Sequence, residues 1–366
     1  MARHYLDHAS TSPARPEVVE AMLPWLSFAA DPGRVHTDGR LSRGAIEEAR
    51  EQVAAALGAR PREVVFTSGA TESIIAAVWG TTERRRHIVV PAVEHSAVRD
   101  ASVAFADVTE VGVDRFGRVD ADEVLGAVRP DETALVHIQW ANHEVGTLQP
   151  VAEVVARCRE RGVTVHVDAA CAAGHVPIDF GALGADLFSV SAHKLGGPQG
   201  VGALLIRRGV RLRPLLVGGA QERSRRAGME NVAGIAGFGV AATLALDEDR
   251  ARSQTDALIS AATAVDGVVT YGDTVDRVPH IACFGVAGVE AEAVLLGLDQ
   301  AGIAAHSGSA CSSETFEPSP VLAAMGVEAD HSLRVSVGWS TTDADIEAFR
   351  TAFPTVVDRL RALRSS

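Results

Sequence analysis

Apolar and polar positions follow two periods along this chain. Over residues 41–57, Leu41, Ala45, Ile46, Ala49, Val53, Ala56 and Leu57 recur at steps of three and four, one face of an amphipathic helix. Gly58 and Pro61 end it, and Glu63-Val-Val-Phe66 follows as a short apolar strand. Thr67-Ser-Gly-Ala-Thr-Glu72 opens a second helix through Ile74, Ile75, Ala77 and Val78. Apolar runs at 87–90, 134–138, 163–167, 187–190 and 201–206 predict further strands, with helical patterns between most of them. Nearly continuous apolar strands alternating with helices predict a parallel sheet covered on both faces.

The pattern changes near residue 247. A charged stretch, 247–256, leads into a helix that ends before Gly267. Shorter strands follow at 268–271, 280–284 and 333–337, mixed with helices at 290–300 and 343–363. This reads as a smaller α+β unit. At 366 residues the chain exceeds one typical core, so two domains are expected. The boundaries we draw are a large domain over 15–250 and a small one made of 1–14 with 251–366.

Composition narrows the function classes. A net charge of −13 argues against a broad nucleic-acid surface, which needs basic patches. The densest basic cluster, Arg223 to Arg226 around Ser224, is short. No apolar run approaches the roughly 20 residues of a membrane span, and Met1-Ala-Arg-His-Tyr-Leu-Asp7 lacks the apolar core of a signal peptide. The four cysteines, Cys158, Cys171, Cys283 and Cys311, are far apart. Without a C-x-x-C pair, zinc and disulfide frameworks are not expected, and a reduced, cytoplasmic chain fits best.

The chemistry concentrates at strand ends. The run Asp186-Leu-Phe-Ser-Val190 leads to Ser191-Ala-His-Lys194 and then Leu195-Gly-Gly-Pro-Gln-Gly200. An amine at the C-terminal edge of an open α/β sheet faces the crevice where such sheets bind ligands. A lysine walled by apolar residues can fall from its pKa of about 10.4 and attack a carbonyl as a free amine. One strand earlier, Val163-Thr-Val-His-Val-Asp168 also ends in a charge. A lysine for an aldehyde and an aspartate for a pyridinium nitrogen is the pair that pyridoxal phosphate (PLP) requires. Singly, Lys194 would be a solvated turn residue; the company it keeps changes that.

Four other features join it. Ser68-Gly-Ala-Thr71 at a helix start suits a phosphate, although Ser/Thr there also serves as a plain cap. His95, after the strand at 87–90, could lay its ring on a flat cofactor. Ser307-Gly-Ser-Ala-Cys311-Ser-Ser313 is a small-residue loop that leaves a thiol accessible to two partners in turn. Arg334, a charge inside a strand pattern, suits a carboxylate, from a substrate or from a domain seam.

Taken together these segments resemble the cysteine desulfurases of the class V aminotransferase family, in the group with a long cysteine loop. The resemblance runs from Tyr5-Leu-Asp-His8 to Ser340-Thr-Thr-Asp343. It is carried by Phe66-Thr-Ser-Gly-Ala-Thr-Glu72, Glu94-His95, His166-Val-Asp168, Ser191-Ala-His-Lys194, Gly218-Gly-Ala-Gln-Glu-Arg223 and Ser307-Gly-Ser-Ala-Cys-Ser312. It implies PLP fold type I: a large domain with a seven-stranded, mainly parallel sheet, and a smaller α+β domain. It implies Lys194 as the lysine carrying PLP, Asp168 at the pyridine nitrogen and His95 stacked on the ring. Ala70, Thr71, Ser191 and His193 fall at phosphate positions. Cys311 would take the sulfur, and Arg334, with Asn142, would meet the substrate. The implied reaction converts L-cysteine to L-alanine and leaves a persulfide on Cys311 for a sulfur-acceptor protein, in a homodimer.

The chain departs from the family pattern at several places. The family's Asn-Asn-Glu is here Asn142-His143-Glu144, so His143 faces the cofactor where an amide is usual. Cys171 stands where a glutamine would reach the PLP phenolic oxygen. Met229 replaces a threonine that reaches the partner subunit's phosphate, and Asp31-Pro-Gly-Arg-Val35 replaces Gly-Asn-Pro-Ser-Ser. These keep two other readings open: a related PLP enzyme (C–S lyase, selenocysteine lyase or aminotransferase), and a degenerate sulfur-relay scaffold.

Overall fold

In chain order the strands are β1 (His4–Tyr5), β2 (Val64–Thr67), β3 (His87–Pro91), β4 (Asp107–Val111), β5 (Thr133–Gln139), β6 (Val165–Asp168), β7 (Leu187–Ser191), β8 (Gly202–Ile206), β9 (Val268–Tyr271), β10 (Ile281–Val286), β11 (Ile303–Ala304) and β12 (Ser332–Ser336). They belong to a computed structural model that describes residues 3–29, 31–244, 247–307 and 318–364. Cys311 lies outside the described residues.

Strands β2 to β8 form one seven-stranded sheet in the order β2-β8-β7-β6-β5-β3-β4. The five strands from β7 to β4 run parallel, whereas β8 is antiparallel to β7 and β2 to β8. The connection from β7 to β8 is short and carries no crossover helix, so the chain must double back. Alternate residues of the strands feed two cores. Val136, Val167, Phe188 and Val190 pack with the helices Thr37–Ala56, Val151–Glu160 and Val232–Thr243. Leu135, Leu187 and Leu204 pack on the other face with the helices Ala70–Thr81 and Ser96–Phe105.

A second, antiparallel sheet, β12-β10-β9, has its own core of Leu258, Phe284, Leu298, Leu333, Phe349 and Phe353. The parallel pairing of β1 with β11 places the N-terminus beside it. Among the described residues no helix is long and apolar enough to cross a membrane.

Hydrophobic period does not reveal the helix Val232–Thr243, and packing explains why. It lies between the helices Pro16–Leu26 and Thr37–Ala56 and has no polar stripe. Its glycines permit close approach: a Cβ on Gly237 would fall 2.7 Å from Met22 Cγ, and one on Gly239 2.6 Å from Ala49 Cα. Glu63, read as strand, lies in a short 3₁₀ turn, Pro61–Glu63. The helix predicted over 41–57 starts at Thr37 rather than Leu41, because His36 Nδ1 accepts the Gly39 N–H at 3.2 Å and caps it.

The outer edge of β2 is closed by a buried ion pair. Arg50 Nη1 and Nη2 donate to both carboxylate oxygens of Glu222 at 2.8 and 2.7 Å. Arg50 also donates to the Val64 carbonyl at 2.8 Å, and Glu222 accepts the Phe66 N–H at 3.0 Å. The pair therefore satisfies edge-strand groups that would otherwise be open to mispairing. Glu222 is held at φ 47°, in the left-handed region. Arg50→Met should cost about 3–5 kcal/mol, because it strands a buried carboxylate. Arg50→Met with Glu222→Met should recover part of that loss, but not the unpaired Val64 and Phe66 groups. Urea unfolding midpoints of the three proteins check both statements.

Candidate active site

The C-terminal ends of β3, β5, β6 and β7 converge on a cavity of about 510 Å³. Its lining includes Lys194, Asp168, His95, His143, Ala70, Thr71, Cys171, Ser191, His193 and Arg334. Of the residues singled out from the sequence, Asn142 does not line the cavity and Cys311 lies outside the described residues.

Lys194 is positioned by the end of β7. After Ser191 the backbone tightens into the 3₁₀ turn Ala192–Leu195, and Gly196 closes it at φ 76° with its N–H on Ala192 O. A Cβ there would meet Arg15 Cγ at 2.8 Å, so glycine is needed for conformation and for space. The Lys194 Nζ donates to Cys171 Sγ at 3.0 Å. Asp168 is the last residue of β6 and is buried. Its Oδ1 accepts the Ala170 N–H at 3.0 Å and the Ser189 hydroxyl at 3.3 Å.

His95 caps the helix Ser96–Phe105, its Nδ1 accepting the Ala97 N–H at 3.1 Å. That acceptor role puts the neutral ring's proton on Nε2. Burial, with His143 and Lys194 nearby, pushes its pKa down to about 4. His143 meets it edge-on, with centroids 5.1 Å apart. Burial, then Lys194 and Arg334, lowers His143 to about 3. Its Nδ1 is buried without a hydrogen-bond partner. His193 is lowered to about 4 by burial and by Lys194, and its Nδ1 lies 3.1 Å from Thr11 Oγ1. All three imidazoles are therefore neutral at pH 7.

Ala70 and Thr71 begin the helix Ala70–Thr81, whose free N–H groups and dipole favour an anion. The turn before it packs tightly on β8, since a Cβ on Gly202 would fall 2.7 Å from Gly69 Cα. Glu72 bonds back to the Ser68 N–H at 2.8 Å and is gripped by Arg226 at 2.9 and 3.2 Å. Burial opposes its ionisation, but the Arg226 and Ser68 hydrogen bonds outweigh that and hold its pKa below the usual range.

Asn142 serves the backbone. Its Oδ1 accepts the Glu144 and Val145 N–H groups at 2.8 and 2.9 Å, and its Nδ2 donates to Val93 O at 3.2 Å. Arg334 donates to the His143 carbonyl at 2.8 Å, to Asp7 at 2.8 Å and to the Ser10 hydroxyl at 2.6 Å. Both origins foreseen for its carboxylate partner bear on it: an internal one is already there, and its side chain still borders the cavity.

Sequence reasoning assigned no role to Asp7, Ser10, Thr11, Glu94 or Gln139. Asp7 and Ser10 are more than 300 positions from Arg334, and no local pattern links them. Glu94 is fully buried, with one oxygen accepting the Gln139 N–H and the other unpartnered. Burial first, then the Asp168 charge, raises its pKa well above the carboxylate range. A strand-end Glu beside His95 was the only available signal.

The Aminotransferase class-V family model matches residues 4–349. The cysteine desulfurase IscS of Dictyoglomus turgidum is 41% identical over 378 residues, covering 98% of this chain and 95% of that protein. An IscS-like cysteine desulfurase of Mycobacterium tuberculosis is 43% identical, covering 98% and 97%. Among solved structures, a NifS-like protein superposes with a TM-score of 0.90 at 31% identity over 98% of this chain and all of that one. A NifS-like protein from Rickettsia africae gives the same TM-score and identity, over 97% and 99%. The fold is thus that of the PLP-dependent type I enzymes.

The buried histidines give stability a defined pH dependence. His95 and His143 stay neutral in the fold, whereas unfolded they take a proton near pH 6.5. Below that pH the unfolded chain binds more protons, so stability falls as pH drops from about 6.5 toward 4. Glu144 acts the other way. Burial lifts it to about 7, so its cost grows as pH rises from about 4.3 to 7. His143→Asn should flatten the acid side of a plot of urea midpoint against pH, and Glu144→Gln the neutral side.

Proposed function

We propose that this chain, which belongs to the aminotransferase class-V family, is a PLP-dependent cysteine desulfurase converting L-cysteine to L-alanine. The observation that carries this reading is Lys194 and Asp168 sharing one cavity at the parallel sheet's C-terminal edge, with neutral His95 beside them.

The residues present suit PLP. A helix N-terminus at Ala70 and Thr71, with Ser191 and His193, offers donors for a phosphate. Asp168, already fixed by Ala170 and Ser189, offers a carboxylate to a pyridinium N–H. His95 offers an uncharged ring, and the unpartnered Nδ1 of buried His143 is a polar atom still without a partner. When bound, PLP supplies an electron-withdrawing ring that stabilises negative charge at the substrate's α-carbon.

The chain's own groups do the rest. Lys194 Nζ would hold the cofactor's aldehyde and then move the α-proton. Arg334 receives the substrate carboxylate. Cys311, as a thiolate, would attack the substrate sulfur: the S–S bond forms, the C–S bond breaks with its electron pair left on the β-carbon, and protons delivered to the β- and α-carbons give alanine while the sulfur stays on Cys311 as a persulfide. A sulfur-acceptor protein then removes the outer sulfur. A homodimer fits the apolar groups exposed near Arg226, notably Met229 at 67% and Val217 at 79% exposure.

Borohydride reduction of PLP-loaded protein should leave a pyridoxyl label on Lys194 and none on Lys194→Ala; a label elsewhere removes the basis of the proposal. Cys311→Ser should keep the label but lose alanine and sulfide formation from L-cysteine. Continued turnover without Cys311 would instead identify a C–S lyase, and absent PLP binding a scaffold. Cys171 and Met229 are weak or absent hydrogen bonders. Cys171→Gln or Met229→Thr should therefore tighten PLP binding, as read by absorbance titration of cofactor-free protein.

A further inference from the structure

We propose that Cys171 and Lys194 form a redox modification site, in which a peroxide joins the two side chains through a sulfur–nitrogen bond and closes the lysine to its cofactor.

The pairing is built into the fold. Cys171 follows β6, three residues after Asp168, and Lys194 follows β7, its neighbour in the sheet. Their Sγ and Nζ are 3.0 Å apart, and both side chains border the 510 Å³ cavity, which admits a small oxidant. His143 also lines the cavity and is buried, with its Nδ1 unpartnered. Cys158 and Cys283 differ. Neither borders the cavity, although all three thiols are buried. The thiolate is the form that reacts.

The chemistry balances in two steps. Peroxide oxidises the Cys171 thiol to a sulfenic acid: its O–O bond breaks, sulfur gains the oxygen and loses two electrons, and water leaves. The Lys194 nitrogen lone pair then attacks that sulfur. The S–N bond forms, the S–O bond breaks, and the hydroxyl departs with a proton from nitrogen as a second water. The protein has lost two hydrogens. An added thiol reverses this: it attacks the sulfur, frees the amine and leaves a mixed disulfide that a second thiol resolves. A lysine joined in this way cannot take an aldehyde. The consequence for PLP rests on the proposed function; the crosslink itself does not.

The test uses the full-length chain, cofactor-free and PLP-loaded, treated with hydrogen peroxide. Peptide mapping of the cofactor-free chain should give the Cys171 and Lys194 peptides joined, lighter than their sum by about 2 mass units. PLP uptake, followed by absorbance, should be lost, and dithiothreitol should restore it while the joined peptide disappears. The PLP-loaded chain should be protected. Cys171→Ser and Cys171→Ala should yield no joined peptide, and peroxide should not change whatever uptake each shows before treatment, although Cys158, Cys283 and Cys311 remain. No joined peptide in the wild type, or equal loss of uptake in both variants, overturns the proposal. A joined peptide in a chain that never takes up PLP would uphold the crosslink and sink the cofactor reading instead.

Discussion

The register of three parallel strands fixes one row of side chains, and the candidate site depends on it. Gln139 of β5 lies opposite Asp168 of β6, and Asp168 opposite Ser189 of β7. That row brings the Ser189 hydroxyl to the carboxylate and ends where Lys194 leaves the sheet. A slip of one residue would turn Asp168 to the other face, into an apolar core. Such register is well specified here, because these strands are buried throughout and every alternate position must match its core. The acid–amine pair is a by-product of packing that the hydrophobic residues enforce.

The same burial limits how much charge the cavity holds. His95, His143 and His193 are kept neutral by desolvation and by neighbouring cations. Glu94 is kept protonated by burial and by Asp168. An ionised Glu94 would set a second negative charge near Asp168 in a poorly screened interior. Behind the site, His175 and His280 stack at 3.6 Å and His8 lies close enough to influence both, and burial pushes all three down. The region is thus rich in titratable side chains yet sparing with charge.

How much of this was legible in the sequence follows from what each feature depends on. Strands of the central sheet announce themselves, because burial on both faces leaves continuous apolar runs. Edge strand β4, whose residues are mostly part-exposed, does not. The helix Val232–Thr243 is hidden because its glycines serve packing rather than periodicity. Lys194, Asp168, His95 and the Ala70–Thr71 turn were readable because each follows or begins an element, and sheet edges gather such residues. Asp7, Ser10 and Thr11 were not, because the N-terminal segment is brought to Arg334 and His193 by pairings with distant residues. The closure of β2 by Glu222 likewise joins positions 172 apart through a left-handed backbone that no local pattern signals.

Arg334 illustrates how such a hidden partner alters a residue's chemistry. A guanidinium has five N–H donors in a fixed fork. Three hydrogen bonds, to the His143 carbonyl, Asp7 and Ser10, use one N–H of Nη1 and both of Nη2, and the Nε is buried without a partner. A carboxylate entering the cavity meets this arginine as a competitor of Asp7, and it also meets the Asp7 charge. On the proposed reading, what Arg334 would contribute to binding a carboxylate is the difference between two carboxylate pairings, not the full strength of one. The internal pair keeps the guanidinium aimed at the cavity and spares it from being a buried charge with no counterion. The cost of that preorganisation is affinity, so on the proposed reading recognition of an amino acid would have to draw on the part of the site where Lys194 and Asp168 lie as much as on the carboxylate.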